Sequence, residues 1–294
     1  MSPLYRQRGL TFVELLVAGA LSGLIGVILV QLLGVQSRSA QLQTGLVGVY
    51  ENAQFGLTFI KEELERAGFN GELALEPVSP VVVHASSDGH FFDQITVQRR
   101  LSSSGDQLCT GAAFEPDLTL TDAERVVWSQ ILVQEDTNRP DHYQLVCRYF
   151  FPGRLAELSE TWVPPVEGRG ILVDGVASFQ VLYGVRPLMG GADSGIESYV
   201  NFNQWQPSEQ EVVAIKLGVL LAAQDAPRLR NEGVLDQQST YQVLDQVYSV
   251  QGHEEQGHEE QGGQSDQDGW DDGVLRRSYE SLVHLPNVGR RWAL

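Results

Sequence analysis

From Leu10 to Leu33 the chain reads LTFVELLVAGALSGLIGVILVQLL, 24 residues whose only charged member is Glu14. At the helical rise this run spans roughly 36 Å, enough to cross the hydrocarbon core of a bilayer. Arg6 and Arg8 precede it with no acidic residue before Glu14, so the positive-inside rule places the N-terminus in the cytoplasm and everything after Gln36 across the membrane. An ordinary cleaved secretory signal has a shorter apolar core followed by a small-residue cleavage site, a pattern absent here. Glu14 sits five residues into the run, where a carboxylate costs a few kcal/mol unless it is paired, protonated or near the interface, so it demands compensation.

Gly9 followed by Leu10-Thr11-Phe12-Val13-Glu14-Leu15-Leu16-Val17-Ala18 resembles the type IV prepilin motif. In that family a cytoplasmic-side prepilin peptidase cuts after the glycine, the new amine is methylated, and the glutamate pairs with the terminal amine of a neighbouring subunit. The resemblance therefore implies cleavage between Gly9 and Leu10, N-methylation at Leu10, and a register-setting role for Glu14 in assembly. Leu10 stands where the family usually has Phe, and Phe12 where it usually has Leu. A membrane anchor with an incidental glutamate is the plainer alternative.

Beyond the apolar run, Leu42, Leu46, Val49, Ala53, Leu57, Ile60, Leu64 and Ala67 recur at steps of three and four, which is one helical face. Between Pro3 and Pro77 there is no proline, so one helix is expected from Leu10 to about Ala67, ending at Gly68. Gly19, Gly23, Gly26, Gly34, Gly45 and Gly48 each weaken it by up to about 1 kcal/mol relative to Ala and invite local unwinding when subunits pack. The stripe is expected to lie on a sheet. The sheet would come from β-branched, aromatic or alternating runs at Val81 to His84, Gln94 to Arg99, Val126 to Gln134, Tyr143 to Phe151, Ala177 to Gly184, Glu211 to Ala222 and Val274 to Leu285. The expected fold is α+β.

Four segments extend the family resemblance into this body: Glu51 to Phe55, Ile60 to Gly71, Gly175 to Val185 and Val212 to Ala222 are similar to minor pilins of the PilW type. That resemblance implies a pilin fold, with a long N-terminal membrane-spanning helix on an antiparallel β-rich head. The expected organisation is a leader at 1–9, a transmembrane half-helix at 10–36, an amphipathic half at 37–70 and a periplasmic head at 71–294. The implied function is non-enzymatic: to help initiate a type IV pilus and sit at or near its tip. Implied partners are the prepilin peptidase, the inner membrane, other minor pilins and the major pilin, and a PilY-type tip adhesin. The implied location is the inner membrane, then the pilus on the cell surface. The J-type pseudopilin of type II secretion shares this architecture and is the alternative. A membrane-anchored periplasmic enzyme or binding module is a further one.

The charge balance, 20 Lys plus Arg against 38 Asp plus Glu for a net of -18, with Lys61 and Lys216 the only lysines, argues against nucleic acid as a partner. Cys109 and Cys147, the only cysteines and 38 residues apart, exclude a Cys₄ zinc site and are expected to form one disulfide in the oxidising periplasm. An insert from Gln251 to Gly273 repeats GHEEQ and lacks apolar periodicity, so it reads as a solvated acidic loop. His253 and His258 are five apart, not the four a zincin needs. Around Asp266, Asp268, Asp271 and Asp272 an EF-hand register fails, because Trp270 and Tyr279 fall at ligand positions. There is no P-loop, GxSxG elbow or GxGxxG fingerprint. His84, His90, His142 and His284 are scattered, and neither metal nor cofactor is expected.

Overall fold

The computed structural model of the chain describes residues 11–70, 79–82, 86–101, 106–114, 125–152, 168–188, 195–223, 240–249 and 274–288. Its longest element is α1 (Phe12–Arg66), 55 residues without a break, or about 82 Å of axis. The six glycines of the sequence expectation are all absorbed within it. The helix begins at Phe12 because Thr11 is extended (φ -79°, ψ 150°) and serves as its N-cap; Leu10 lies outside the described residues. At the other end Ala67 leaves the helical region (ψ 141°) and Gly68 takes a left-handed φ of +74°, a conformation that glycine adopts without a Cβ clash. Two carbonyls of the last turn, Glu65 and Ala67, are taken up by the Asn287 side-chain amide at 3.1 Å each.

Among the described residues ten strands follow: β1 (Ile95–Arg100), β2 (Val126–Asp136), β3 (Arg139–Phe150), β4 (Gly168–Asp174), β5 (Val176–Pro187), β6 (Ser198–Val200), β7 (Gln210–Ala222), β8 (Thr240–Val243), β9 (Gln246–Ser249) and β10 (Arg276–His284). The first four form an antiparallel sheet in the order β1-β2-β3-β4. Gly175, with φ +75°, turns the chain into a second antiparallel sheet of order β10-β7-β5-β6. The β8–β9 hairpin caps the far face of that sheet, where Gly218 leaves room for Val243 and Leu244. Of the expected strand from Val81 to His84, Val81 bridges Val97; Val83 and His84 lie outside the described residues. The other six form with ends shifted by a few residues.

The second half of α1 lies on both sheets, through β4 on one side and β7 and β10 on the other. Val49, Ala53, Ile60, Leu64 and Ala67 of the expected stripe are buried, and Leu42 and Leu57 pack at its margin. Ile60 and Leu64 have no exposed surface, worth about 1.5–3 kcal/mol each. Two buried positions depart from an apolar stripe. A Cβ on Gly56 would stand 2.0 Å from Val173 Cγ2, so the helix can approach β4 only because that position is bare. Glu63, 2% exposed, accepts a hydrogen bond from Ser129 Oγ on β2 at 2.5 Å and lies 3.5 Å from the Arg99 guanidinium on β1. Breaking such a buried pair from one side typically costs about 3–5 kcal/mol.

Cys109 and Cys147 are joined by a disulfide across 38 residues, Cα to Cα 6.0 Å, which ties the 106–114 loop to β3. Closing a loop of that length is worth roughly 4 kcal/mol in the chain-entropy model. Two outcomes are expected in thermal denaturation of the detergent-solubilised chain. Gly56→Ala should lower stability by about 1–3 kcal/mol through overpacking, whereas Gly48→Ala, on an open helix face, should be neutral or stabilising by up to about 1 kcal/mol. Equal behaviour of the two variants would contradict the close approach of α1 to β4.

Candidate assembly interface

All residues from Thr11 to Gln41 are exposed, including a nearly continuous apolar surface in which Phe12 and Val30 are 75% and 70% exposed. Soluble monomers rarely present an apolar surface of that extent. The helix is by length and composition able to cross a membrane, and its apolar portion touches nothing in the head.

At the start of this surface Thr11 and Glu14 form a capping box. The Thr11 hydroxyl oxygen accepts from the Glu14 backbone N–H at 3.3 Å, and Glu14 Oε2 accepts from the Thr11 N–H at 2.9 Å and the Thr11 hydroxyl at 3.0 Å. Two amides that a helix start leaves without partners are thereby satisfied, and the carboxylate sits at the positive end of the helix dipole. The sequence reading looked for compensation of Glu14 in a second subunit and passed over Thr11. The Thr-x-x-Glu spacing ahead of an apolar run was the signal that could have found it. Gly9 and Leu10 lie outside the described residues.

Farther along α1, Tyr50, Phe55 and Phe59, with Glu51, Gln54, Thr58 and Glu62, line a shallow groove of about 430 Å³. Tyr50 also meets Tyr279 of β10, ring centroids 6.4 Å apart.

Among the described residues no three of His, Cys, Asp or Glu are placed to share a metal ion, and Cys109 and Cys147 are consumed by their disulfide. His90 packs on Phe91 and Tyr248, and His284 ends β10. His84, His253, His258, Asp266, Asp268, Asp271 and Asp272 lie outside the described residues, as does the whole insert. One carboxyl is strongly perturbed. Asp93, buried beside β5, accepts from the Gly89 and Val181 backbone N–H groups at 2.8 and 2.7 Å. Burial outweighs those bonds and, with the charges of Asp88 and Asp245, pushes its pKa up to about 7. Burial likewise raises the nearby Tyr183 and Tyr248 hydroxyls.

A family model described as type IV pilus-assembly protein W matches residues 132–287, just over half of the chain. The chain belongs to the PilW family. Among solved structures, a type IV-like pilin from Thermus thermophilus is similar at 16% identity and a TM-score of 0.40, over 82% of this chain and 98% of that one. Comparison with curated proteins finds no match. One long apolar N-terminal helix on antiparallel sheets, in a PilW-family chain, is the α+β pilin fold expected from the sequence, and the chain is a type IV pilus-assembly protein in that sense.

The Asp93 carboxyl generates a pH prediction. Its folded pKa lies above its ordinary value of 3.8, so the folded state binds the extra proton. The stabilisation is complete below about pH 4 and lost as pH rises through about 7. Asp93→Asn should therefore flatten the fall of the head's thermal midpoint between those pH values; a slope identical to that of the unaltered chain would contradict the assignment.

Proposed function

We propose that this PilW-family protein is a minor pilin that helps initiate a type IV pilus and takes a position at or near its tip. The observation that supports the reading is the union, in one unbroken helix, of a bare apolar half and a half built into a family-bearing head. The proposed boundaries are a leader at 1–9, a membrane-crossing half at 10–36, an amphipathic half at 37–70 and the head from 71 onward, with the N-terminus cytoplasmic and the head periplasmic before assembly. Prepilin peptidase cuts between Gly9 and Leu10, and Leu10 receives the methyl group. The chain works without catalysis. Its apolar half-helix leaves lipid for a bundle of other minor pilins and the major pilin, while the head faces outward, toward a PilY-type adhesin.

Glu14 sets register in this scheme. In lipid the capping box and the nearby interface limit the cost of its charge. In a bundle a carboxylate surrounded by apolar helices requires a cationic partner, and the Leu10 amine of an adjacent subunit supplies one.

Two measurements test the proposal. N-terminal sequencing of membrane-extracted protein should begin at Leu10; a start at Met1, or a cut beyond Leu33, sinks the prepilin reading. Glu14→Ala should leave insertion and cleavage intact yet reduce recovery of partner pilins from detergent extracts and the number of surface pili. Thr11→Val removes the side-chain half of the cap, at a cost of about 1 kcal/mol in helix stability, and leaves the carboxylate. It should assemble nearly normally. Equal defects in the two variants would reduce Glu14 to a helix cap.

A further inference from the structure

Arg148 on β3 and Arg169 on β4 are register partners, so two guanidinium groups stand side by side on one face of the first sheet. Like charges directly opposite each other destabilise a sheet, and a chain with 38 acidic residues has ample means to avoid it. Several other basic residues of the head find acids. Arg139 pairs with Asp136 and Asp174, Arg186 with Glu211, and Lys216 with Glu280. Among the described residues neither Arg148 nor Arg169 meets a carboxylate.

Arg148 is nevertheless held in place. Its Nε donates to Gln130 Oε1 at 2.7 Å, and Gln130 Nε2 donates to Thr96 Oγ1 at 3.1 Å. Gln130 and Thr96 are 6% and 0% exposed, so a buried relay across three strands fixes the guanidinium. Burial, then the neighbouring Arg169 charge, weakens its hold on its proton, the direction expected where a cation lacks a counter-charge. Arg169 is exposed. Two residues along the same strand face, Ile171 is 56% exposed. Among the described strands β4 is the last of its sheet; α1 covers its C-terminal end, where Asn52 Nδ2 donates to the Asp174 carbonyl at 2.9 Å, and the stretch from Gly168 to Ile171 pairs with β3 alone.

We propose that Arg148, Arg169 and the Gly168 to Ile171 edge of β4 form a docking site for an extended acidic segment of a partner protein. The segment adds as a strand beside β4, sets a carboxylate against the arginine pair and lays an apolar side chain on Ile171, an acid-x-apolar pattern that follows from the strand period of two. Two planar guanidinium groups match carboxylate oxygens through charge-assisted bonds. A polyphosphate fits worse, because the rest of a chain of net charge -18 repels it. The site is independent of the tip assignment and of Glu14.

The test uses the full chain in detergent and a labelled soluble decapeptide of alternating Glu and Val. A Lys and Val counterpart, a short single-stranded DNA and inorganic phosphate serve as competitors. Saturable binding of the acidic peptide, weakened by raised salt, is expected, with little competition from the other three. Arg148→Gln with Arg169→Gln should weaken it about tenfold or more, the scale of a lost charge-assisted hydrogen bond. Arg169→Gln alone, at an exposed position that the fold does not need, should lower affinity in the same direction with an unchanged thermal midpoint, and Ile171→Asp should weaken binding with both arginines present. Absence of saturable binding at low salt, equal affinity of the arginine variants, or DNA or phosphate binding as tight as the peptide would each overturn the proposal.

Discussion

A single helix that must satisfy two surroundings governs the rest of this molecule. In hydrocarbon each backbone N–H and C=O needs a partner within its own segment, so the first thirty or so residues of α1 are confined to regular helix, and the apolar side chains follow. In water the same rod must be held by tertiary contacts, because exposed helix alone is only marginally stable. The head meets this by gripping only the second half. The stripe from Val49 to Ala67 sits on both sheets, Gly56 lets α1 approach Val173, and Glu63 reaches β1 and β2 through Arg99 and Ser129. Asn287 and Gly68 then close the helix end.

The same constraint shapes the N-terminal end. Glu14 uses one oxygen, Oε2, for both bonds to Thr11. Among the described residues its other oxygen accepts no hydrogen bond. Capping its own helix and receiving a cation from a second subunit are therefore compatible, since each draws on a different oxygen. In lipid, water at the interface can solvate the open oxygen; in an apolar bundle nothing else can, which gives the pairing its force.

How far the fold could be read from residues alone depended on the range of the interaction responsible. The long helix was legible because proline absence, apolar content and three-to-four spacing are local. So were six strands, from Gln94 to Arg99 through Val274 to Leu285. β4 was missed because Gly168 and Gly170 break its propensity, and it exists by pairing with β3. The short β6, β8 and β9 likewise form on neighbours distant in sequence. Gly56 sat among helix glycines with nothing to distinguish it from Gly48 until Val173 was placed beside it. Glu63 read as one more charge in an acidic helix end, because Arg99 and Ser129 are 36 and 66 residues away. The capping box was within reach, four residues wide, and was passed over because the carboxylate was assigned outward.

Where the helix lies also decides which surfaces remain for partners. α1 covers the seam formed by β4 on one sheet and β10 on the other, so the core-facing sides of both edge strands are occupied. What each edge strand still offers is its outward face, and β4 also offers the backbone from Gly168 to Ile171, ahead of the Asp174 carbonyl that Asn52 of α1 takes. On β10 the outward side carries Glu280 tied to Lys216, a neutralised pair with little charge left to recognise. On β4 it carries Arg169 beside Arg148 and the exposed Ile171, with positive charge unspent in a strongly acidic protein. An exposed edge strand invites indiscriminate pairing unless charge restricts it, and this arrangement restricts it to strands that bring an acid. The two edge strands that flank α1 thus differ in what they can select, although the helix packs against both.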